Sequence, residues 1–308
     1  MPQARSALAN PYVFLALAAL CWSGNHVVGR AIAGHVPPFG LAFLRLLIPI
    51  VFVWFLARPH IVADWPEIKR NPGILIFLGL LSGTFFVAGQ YLGLKYTTAL
   101  NVSVLNSLSP VMIIGVGALI FRDPLRPIQG FGITLSLLGV LVIIARGDPA
   151  MLTSLDLNWG DVIIVGNMAA WAIYSVFLRK RPNIHLMSFM LVSFVVGAIG
   201  SIPFAAVEQA IGIHFHLDWT TVIGVAFVAL FPGLISSILW IRGVEEIGTN
   251  RASPFIHLVP IYSAVLASVF LGEHLQMFHV IGFALILAGI WFAAMSPNAA
   301  TQSQGERA

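Results

Sequence analysis

The chain has 308 residues, of which 58% are hydrophobic and only 9% are charged, with a net charge of +4. A soluble domain carries about 25% charged residues, so this composition excludes a soluble globular protein and indicates a membrane protein. The small positive charge does not indicate nucleic-acid binding, because the basic residues lie in short segments between apolar runs.

Ten apolar segments follow one another, each long enough to cross a bilayer as a helix. The first, residues 12–34, stands where a signal peptide would. It is longer than an apolar signal core and carries several polar side chains, which predicts a retained span. It also holds Cys21, the only cysteine, so an intrachain disulfide is excluded. The other nine are residues 39–57, 74–94, 98–120, 127–145, 160–178, 187–207, 221–241, 248–271 and 278–295.

The chain contains an internal repeat. Residues 95–140 align without a gap on residues 245–290, so that identical residues recur 150 positions later (110 to 260) in the pairs Pro110/Pro260, Ser103/Ser253, Leu125/Leu275, Gly132/Gly282 and Gly139/Gly289. Such a repeat is best interpreted before any single motif. Each copy holds five spans, an odd number, which predicts that the copies insert in opposite directions, as in transporters that alternate access around a central site.

We therefore predict an all-α polytopic membrane protein of ten transmembrane helices in two inverted five-helix repeats. Residues 12–145 form the first repeat, residues 146–159 a linker loop and residues 160–295 the second repeat. Residues 1–11 form a short cytoplasmic segment, and residues 296–308 are expected to be a disordered cytoplasmic tail because they are polar and rich in small residues.

The distribution of basic residues predicts the orientation. Arg30, Lys95 and Arg146 fall on one side of the predicted topology, and Arg45 lies within a span. The other twelve fall on the opposite side, which places both termini in the cytoplasm. These are Arg5, Arg58, Lys69, Arg70, Arg122, Arg126, Arg179, Lys180, Arg181, Arg242, Arg251 and Arg307.

Glycines at helical spacing predict close helix packing. Gly79 and Gly83, and again Gly89 and Gly93, form small-xxx-small pairs in span three. Gly132 and Gly139 in span five recur in span ten as Gly282 and Gly289, on one helix face. A tight helix–helix seam is the favoured interpretation, and a hinge is the alternative.

Polar groups inside a membrane are costly, so each is a candidate for a functional site. In span one, Trp22, Asn25, His26 and Arg30 lie on one helix face. In span six, Asn167, Trp171 and Tyr174 do the same. These spans are related by the repeat, so both faces are expected to line a central cavity; an aromatic stripe in a packed core is the alternative.

Four further spans add candidates, namely Gln90 and Tyr91 in span three, Ser103, Asn106 and Ser107 in span four, Ser236, Ser237 and Trp240 in span eight, and Ser253 and His257 in span nine. Pro110 and Pro260 follow the polar residues of spans four and nine. Proline kinks a helix and frees carbonyls that need a partner. Two interpretations stay open: the kinks lie beside the substrate site, or they only shape the packing of the helices. Packing is the favoured role of Ser236, Ser237 and Trp240 in span eight.

Three charged residues lie in or near the spans. Arg45 sits about two turns into span two and either reaches the headgroups, pairs within the bundle or holds a carboxylate; a structural role is favoured. Asp123 and Glu273 end spans four and nine, where they are expected to cap helices or pair with basic loop residues.

The absences also inform function. No Asp or Glu lies in the middle of a predicted span, and His26 and His257 are the only mid-membrane groups that titrate near neutral pH. This favours transport down the substrate gradient over proton coupling. There is no ATP-binding Walker sequence and no catalytic motif, so neither an ATP-driven pump nor an enzyme is predicted. No cofactor and no metal site are indicated.

Four motifs resemble those of EamA-type members of the drug/metabolite transporter superfamily. They are Phe270-Leu271-Gly272-Glu273-His274-Leu275, its counterpart Phe121-Arg122-Asp123-Pro124-Leu125, the opening Ala19-Leu20-Cys21-Trp22-Ser23-Gly24-Asn25, and Ala42-Phe43-Leu44-Arg45. Asp123 departs from the more usual glutamate. The resemblance covers residues 12–295 and is greatest to bacterial aromatic amino acid exporters. It implies ten helices, a central cavity lined by spans one, three, four, six, eight and nine, and spans five and ten as a peripheral pair.

The sequence and this resemblance together predict an exporter in the bacterial inner membrane for amino acids with aromatic or apolar side chains. Asn, Gln, Ser and His would bind the carboxylate, and Trp and Tyr rings would hold the ammonium by cation–π attraction. Without a deep counter-charge, binding is expected to be weak and broad. The chain is expected to work as a monomer. Alternatives are another metabolite or a drug cation in the same fold, possibly proton-coupled, or a non-transporting membrane scaffold.

Overall fold

The computed structural model describes residues 10–148, 158–216, 218–247 and 253–294, and these residues are helical with short connecting loops. The predicted N-terminal segment, most of the linker loop and the C-terminal tail lie outside the described residues. Those expectations therefore stay predictions.

Eleven helices follow in the described part of the chain. They are α1 Pro11–Ile32, α2 Pro38–Arg70, α3 Pro72–Tyr96, α4 Ala99–Asn106, α5 Ser109–Phe121, α6 Pro127–Ile144, α7 Trp159–Phe177, α8 Leu186–Ala210, α9 Trp219–Ile247, α10 Leu258–Leu271 and α11 Met277–Ala294. A 3₁₀ turn Leu178–Lys180 follows α7, and another, Ser253–His257, leads into α10.

Most of these helices have the length and apolar composition of membrane-spanning helices. Seven are long and apolar enough to span one, and α4 with α5 make an eighth if the bent pair is one span. Phe255–Leu271 and Met277–Ala293 are shorter apolar helices. Large apolar side chains cover the outside of the bundle, such as Leu119, which is 83% exposed. A soluble protein does not expose apolar patches of this extent, so the chain is a multi-pass membrane protein.

The helices begin and end at residues with suitable backbone chemistry. Proline stands in the first turn of α1, α2, α3 and α6, where its missing N–H is not needed. At the other end, Arg122 closes α5 and Gly272 closes α10, both in the left-handed conformation. These two caps stand 150 residues apart (122 to 272), so the repeat is visible in the backbone.

The first helices of the two repeats, α1 and α7, run in opposite directions. Near the end of α1, Arg30 bonds to the carbonyls of Leu94 and Lys95 at the end of α3. Thr97, two residues after Lys95, packs against Gly160 at the start of α7. Thus α7 begins where α1 ends. We call this the upper end of the bundle (residues 33–37 and 97–98), and the opposite one the lower end (residues 122–126 and 181–185).

Two π-helical turns interrupt α3 and α9 at equivalent positions. They comprise Leu80–Phe85 and Leu230–Ile235, again 150 residues apart (80 to 230). A π-turn inserts one extra residue into the helix and is frequent at functional sites. Hydrophobic periodicity did not predict these turns.

Two predicted spans differ from the structure. Span two was expected to end at residue 57, but α2 continues to Arg70 through Pro59 and Pro66. A proline leaves only a few backbone groups without a hydrogen-bond partner, and at a membrane surface water supplies the missing hydrogen bonds. Span four is broken: α4 and α5 meet at 46° at Ser107–Leu108, just before Pro110.

Glycines form the tight seams that their spacing predicted. Helices α6 and α11 meet where Gly139 approaches the carbonyl of Gly282 and Gly132 approaches that of Gly289. In the same seam, Ser136 Oγ donates to the carbonyl of Ile286 at 3.2 Å. Gly83 lies against Gly197 of α8, so that α3 and α8 also meet backbone to backbone. The interpretation as a seam is therefore confirmed for these glycines.

We expect Gly197→Ala to destabilise the bundle. A Cβ at this position would lie 2.6 Å from Gly83 Cα, and backbone cannot move aside as a flexible side chain does. Overpacking of this kind costs about 1–3 kcal/mol, which would lower the thermal unfolding midpoint of the purified protein in detergent.

The matched control is Gly166→Ala in α7, where a Cβ meets no atom within 4 Å. This substitution should leave the midpoint unchanged or slightly raised, since alanine is the better helix former. Equal midpoints for both variants would show that the α3–α8 seam tolerates a wider spacing.

Candidate functional site

A layer of polar side chains lies inside the apolar bundle, on α1, α2, α3, α4 and α10. We call this set the polar layer. Its members lie five to eight residues from the upper ends of their helices, or roughly 8–12 Å along the helix axis. They are Asn25, His26, Arg45, Gln90, Tyr91, Asn106 and Ser263.

One part of the polar layer centres on Tyr91. The Arg45 guanidinium donates through Nη1 to Tyr91 Oη at 2.8 Å and to Asn25 Oδ1 at 3.4 Å. Tyr91 Oη in turn donates to Asn25 Oδ1 at 2.8 Å. Arg45 thus points between helices α1 and α3, which removes the interpretation that it extends to the headgroups.

The other part is a chain of four hydrogen-bonded side chains. Gln90 Nε2 donates to Asn106 Oδ1 at 3.0 Å, and Asn106 Nδ2 donates to His26 Nε2 at 3.1 Å. His26 Nδ1 lies 3.2 Å from Ser263 Oγ. Because Nε2 accepts, the ring proton is assigned to Nδ1. A second proton on Nε2 would face the Asn106 donor, so this arrangement holds a neutral imidazole.

Gln90 keeps one unmet group at this site. Its side chain is only 4% exposed, and Oε1 is buried without a hydrogen-bond donor among the described residues. Buried polar atoms are nearly always paired, and an exception calls for an explanation. The carbonyl oxygen is therefore a free acceptor within the polar layer.

Aromatic rings lie below the polar layer. The rings of Trp22 and Trp240 are 5.2 Å apart, and Trp171 contacts Phe86 at 4.6 Å and Tyr174 at 5.0 Å. Trp22 and Phe86 each precede a member of the polar layer by one helical turn. We call these five residues the aromatic cluster. Both halves of the chain contribute to it.

Except for Asn167, the other predicted polar site residues form hydrogen bonds within their own helix or none in the described part of the chain. Ser103 and Ser107 donate to carbonyls of their own helix, Leu100 and Ser103 respectively. His257 Nδ1 is buried without a hydrogen bond, and the Ser253 side chain lies outside the described residues. Asn167 donates to the Phe86 carbonyl and joins α7 to α3.

The prolines and serines near the breaks have different surroundings. Pro110 is exposed on the outside of the bundle, whereas Pro260 is buried in the first turn of α10. Ser236 and Ser237 donate to carbonyls one turn earlier in α9. Within the described part of the chain, these hydroxyls form no hydrogen bond to another helix.

The sequence did not predict a second polar cluster at the upper end. Asp161 is fully buried at the start of α7 and accepts hydrogen bonds from Thr97 and Asn101. Asn101 Oδ1 lies 2.8 Å from His279 Nε2. Asp161 falls in the first turn of a span, where a carboxylate is unremarkable in sequence, and only the fold brings these partners together.

Carboxylates also hold the starts of two helices. Glu273 accepts from the backbone N–H groups of Ala99 and Leu100, and Glu208 accepts from those of Phe39 and Gly40. Helix N-termini carry unpaired donors and favour negative charge. The capping role expected of Glu273 is therefore confirmed.

Asp123 forms the ion pair expected of it at the lower end. Its carboxylate binds both terminal nitrogens of Arg179, at 3.0 and 2.8 Å. These hydrogen bonds hold the pKa of Asp123 below its usual value. The pair is exposed and joins the two halves of the chain without contributing much stability.

Comparison with known proteins identifies the family. The sequence model of the EamA-like transporter family matches twice, over residues 10–145 and residues 158–295. The chain belongs to the EamA-like transporter family. EamA proteins that it resembles include the uncharacterized transporter YyaM of Bacillus subtilis, at 28% identity over 83% of this chain and 82% of the relative. An uncharacterized transporter of Archaeoglobus fulgidus is 27% identical over 91% and 96%.

Two further comparisons bear on this EamA protein. A probable amino-acid metabolite efflux pump of Salmonella typhimurium is 25% identical over 90% of this chain and 93% of that one. A protein of known crystal structure has the same fold, with a TM-score of 0.56 at 20% identity over 94% of this chain and 98% of the other. The EamA chain is therefore a membrane transporter, and the family and the relatives named here are transporters, not enzymes.

We expect Asn106→Leu to destabilise this EamA protein. Leucine has a similar size but leaves the hydrogen-bonding groups of His26 and Gln90 without partners. An unpaired buried group costs about 1–3 kcal/mol, so the thermal unfolding midpoint should fall.

Ser103→Ala in the same helix is the control. Its hydroxyl bonds only to its own helix, so its loss should lower the midpoint much less. If the two variants lowered the midpoint equally, the hydrogen-bonded chain through Asn106 would not stabilise the bundle.

Proposed function

We propose that this EamA transporter exports amino acids, with aromatic or apolar side chains favoured, by alternating access. The observation that carries the proposal is the proximity of the polar layer to the aromatic cluster. An amino acid of this class has a polar backbone end and an apolar side chain. The polar layer offers hydrogen-bonding groups to the first, and the rings of Trp22, Trp171 and Trp240 offer stacking surfaces to the second.

A named relative supports the same substrate class. The Salmonella typhimurium protein is described as a probable amino-acid metabolite efflux pump and aligns over most of both chains. This support concerns the class of substrate and leaves the choice among amino acids to experiment.

The proposed topology has ten spans in two inverted repeats, with α4 and α5 forming one broken span. Both termini then lie in the cytoplasm of a bacterium, the upper end faces outward, and one chain completes the site. The basic residues support this orientation. Arg30, Lys95 and Arg146 belong to the upper end, and the lower end holds a larger group that includes Lys69, Arg122 and Arg179.

Transport down the substrate gradient is the proposed mode. Proton-coupled carriers generally need a group at depth that binds and releases a proton. His26 is held by hydrogen bonds suited to its neutral form. Asp161, Glu208 and Glu273 lie at helix ends and not at mid-span, and each accepts hydrogen bonds from the scaffold.

We expect Trp171→Ala to weaken tryptophan transport. Ring contacts of this kind contribute about 0.5–2 kcal/mol, so the half-saturating concentration should rise roughly 2- to 30-fold. The measurement is uptake of labelled tryptophan into liposomes that hold the purified variant. Trp219→Ala is the control, because Trp219 is 80% exposed at the start of α9. Wild-type uptake by the Trp171 variant would place the substrate elsewhere.

We also expect a pH gradient to leave uptake unchanged. The assay compares labelled tryptophan, phenylalanine, threonine and methionine in liposomes with and without the gradient, at equal substrate concentrations. Saturable uptake that stops at equilibrium indicates downhill transport. Accumulation above equilibrium only with the gradient would instead establish proton coupling. No uptake of any of them by folded protein would move the substrate to another class of metabolite.

A further inference from the structure

We infer that Arg45 and Gln90 recognise the two charged ends of a zwitterionic substrate, with Arg45 binding the carboxylate and Gln90 the ammonium. This inference rests on the proposed function and sharpens it. The sequence predicted that neutral side chains bind the substrate carboxylate and favoured a structural role for Arg45. In this inference Arg45 binds the carboxylate instead. The argument starts from the unmet hydrogen-bonding capacity of these two side chains.

Arg45 carries a charge that the protein does not neutralise in the described residues. Its guanidinium is half-buried, and no acidic side chain described in the structure forms an ion pair with it. A charge inside a membrane is costly and is almost always paired or functional. The contacts to Tyr91 and Asn25 satisfy hydrogen bonds but supply no negative charge.

The free edge of the guanidinium fits a carboxylate. Arg45 Nη1 makes both hydrogen bonds, and Nε and Nη2 have no partner among the described residues. Neither nitrogen is completely enclosed by protein atoms. Nε and Nη2 form the parallel donor pair that binds carboxylates through two hydrogen bonds. Tyr91 and Asn25 fix the opposite edge, which orients the free one.

Gln90 supplies the opposite polarity in the same layer. Oε1 is a buried acceptor without a donor, while Nε2 is held by Asn106. Gln90 and Tyr91 are neighbours on α3, as Asn25 and His26 are on α1, so the two parts of the polar layer lie side by side. Oε1 is enclosed in this conformation, and a substrate ammonium, which has three N–H donors, would satisfy it once the alternation of access opens the polar layer. A donor pair for a carboxylate and an acceptor for an ammonium in one layer favour a zwitterionic substrate.

Arg30 offers a contrast within the same bundle. It has the same charge and lies near the upper end, but its Nη1 bonds to the Leu94 and Lys95 carbonyls at the end of α3. A cation at a helix C-terminus interacts favourably with the helix dipole. Arg30 thus has a structural explanation that Arg45 lacks.

The test compares three ligands that differ only in their charged ends. Tryptophan carries both charges, tryptamine lacks the carboxylate, and indole-3-propionate lacks the ammonium. Binding is measured on purified wild-type protein by ligand-induced thermal stabilisation, and by competition against labelled tryptophan in liposomes. We expect tryptophan to bind at least about 10-fold more tightly than either analogue, as hydrogen bonds to charged groups require.

Variants then assign each end to a residue. Arg45→Gln should weaken tryptophan about 10- to 150-fold and leave tryptamine nearly unchanged. Gln90→Leu should weaken tryptophan but not indole-3-propionate. Arg45→Lys keeps the charge and should retain part of the preference for tryptophan over tryptamine. Arg30→Gln is the matched control and should leave that preference intact, whatever it does to stability.

Each contrary result has a separate meaning. If wild-type protein binds tryptamine as tightly as tryptophan, Arg45 does not bind a carboxylate, although amino-acid export stands. If indole-3-propionate binds as tightly as tryptophan, Gln90 does not bind an ammonium. If none of the three ligands binds the folded protein while phenylalanine or methionine is taken up, this inference alone fails. If none of the four labelled amino acids is taken up either, the proposed function fails with it. The wild-type comparison decides the first two points even if a variant does not fold.

Discussion

A polar group within the membrane must find its partner inside the protein, and the polar layer is where this constraint acts most strongly. Seven polar side chains from five helices meet there among apolar neighbours. Each hydrogen bond joins different helices, so the layer fixes how α1 lies against α2, α3, α4 and α10. Apart from a few polar contacts, such as Asn167 with Phe86 and those of Asp161, Glu208 and Glu273 at helix ends, the helices outside this layer pack through apolar side chains and glycines, which specify position less strictly than directional hydrogen bonds do.

Charge is distributed by the same constraint. Glu208 and Glu273 each meet backbone donors at a helix start, and Asp161 meets two side-chain donors there. The N–H groups at the starts of α2 and α4 stabilise the two glutamates, and Arg146 lies near enough to Asp161 to interact with its charge. Arg45 lies deeper, where no such compensation exists among the described residues. The carboxylates therefore stabilise the scaffold, whereas Arg45 is available to a ligand.

The sequence predicted features that depend on local composition. Apolar length located the long helices, repeated glycines located the α6–α11 seam, and Asn25, His26 and Asn106 were recognised as polar residues in apolar spans. It did not predict Ser263 as a partner of His26, because a serine in an apolar helix commonly bonds to its own backbone. The buried position of Asp161 and the π-turns depend on tertiary contacts that no local pattern records. The length of α2 was missed because Arg58 and Pro59 resemble the end of a helix.

The repeat explains why the frame is symmetric although the site is not. The π-turns and the left-handed caps of α5 and α10 recur at equivalent positions, so duplication preserved the backbone. The side chains diverged: Trp240 occupies in the second repeat the position of Gln90 in the first (240 − 90 = 150). Gln90 joins the polar layer, whereas Trp240 contacts Trp22 in the aromatic cluster. Two identical halves would present the same chemistry to both ends of a substrate. Divergence at this pair gives the site one polar and one aromatic side, which an amphipathic solute requires.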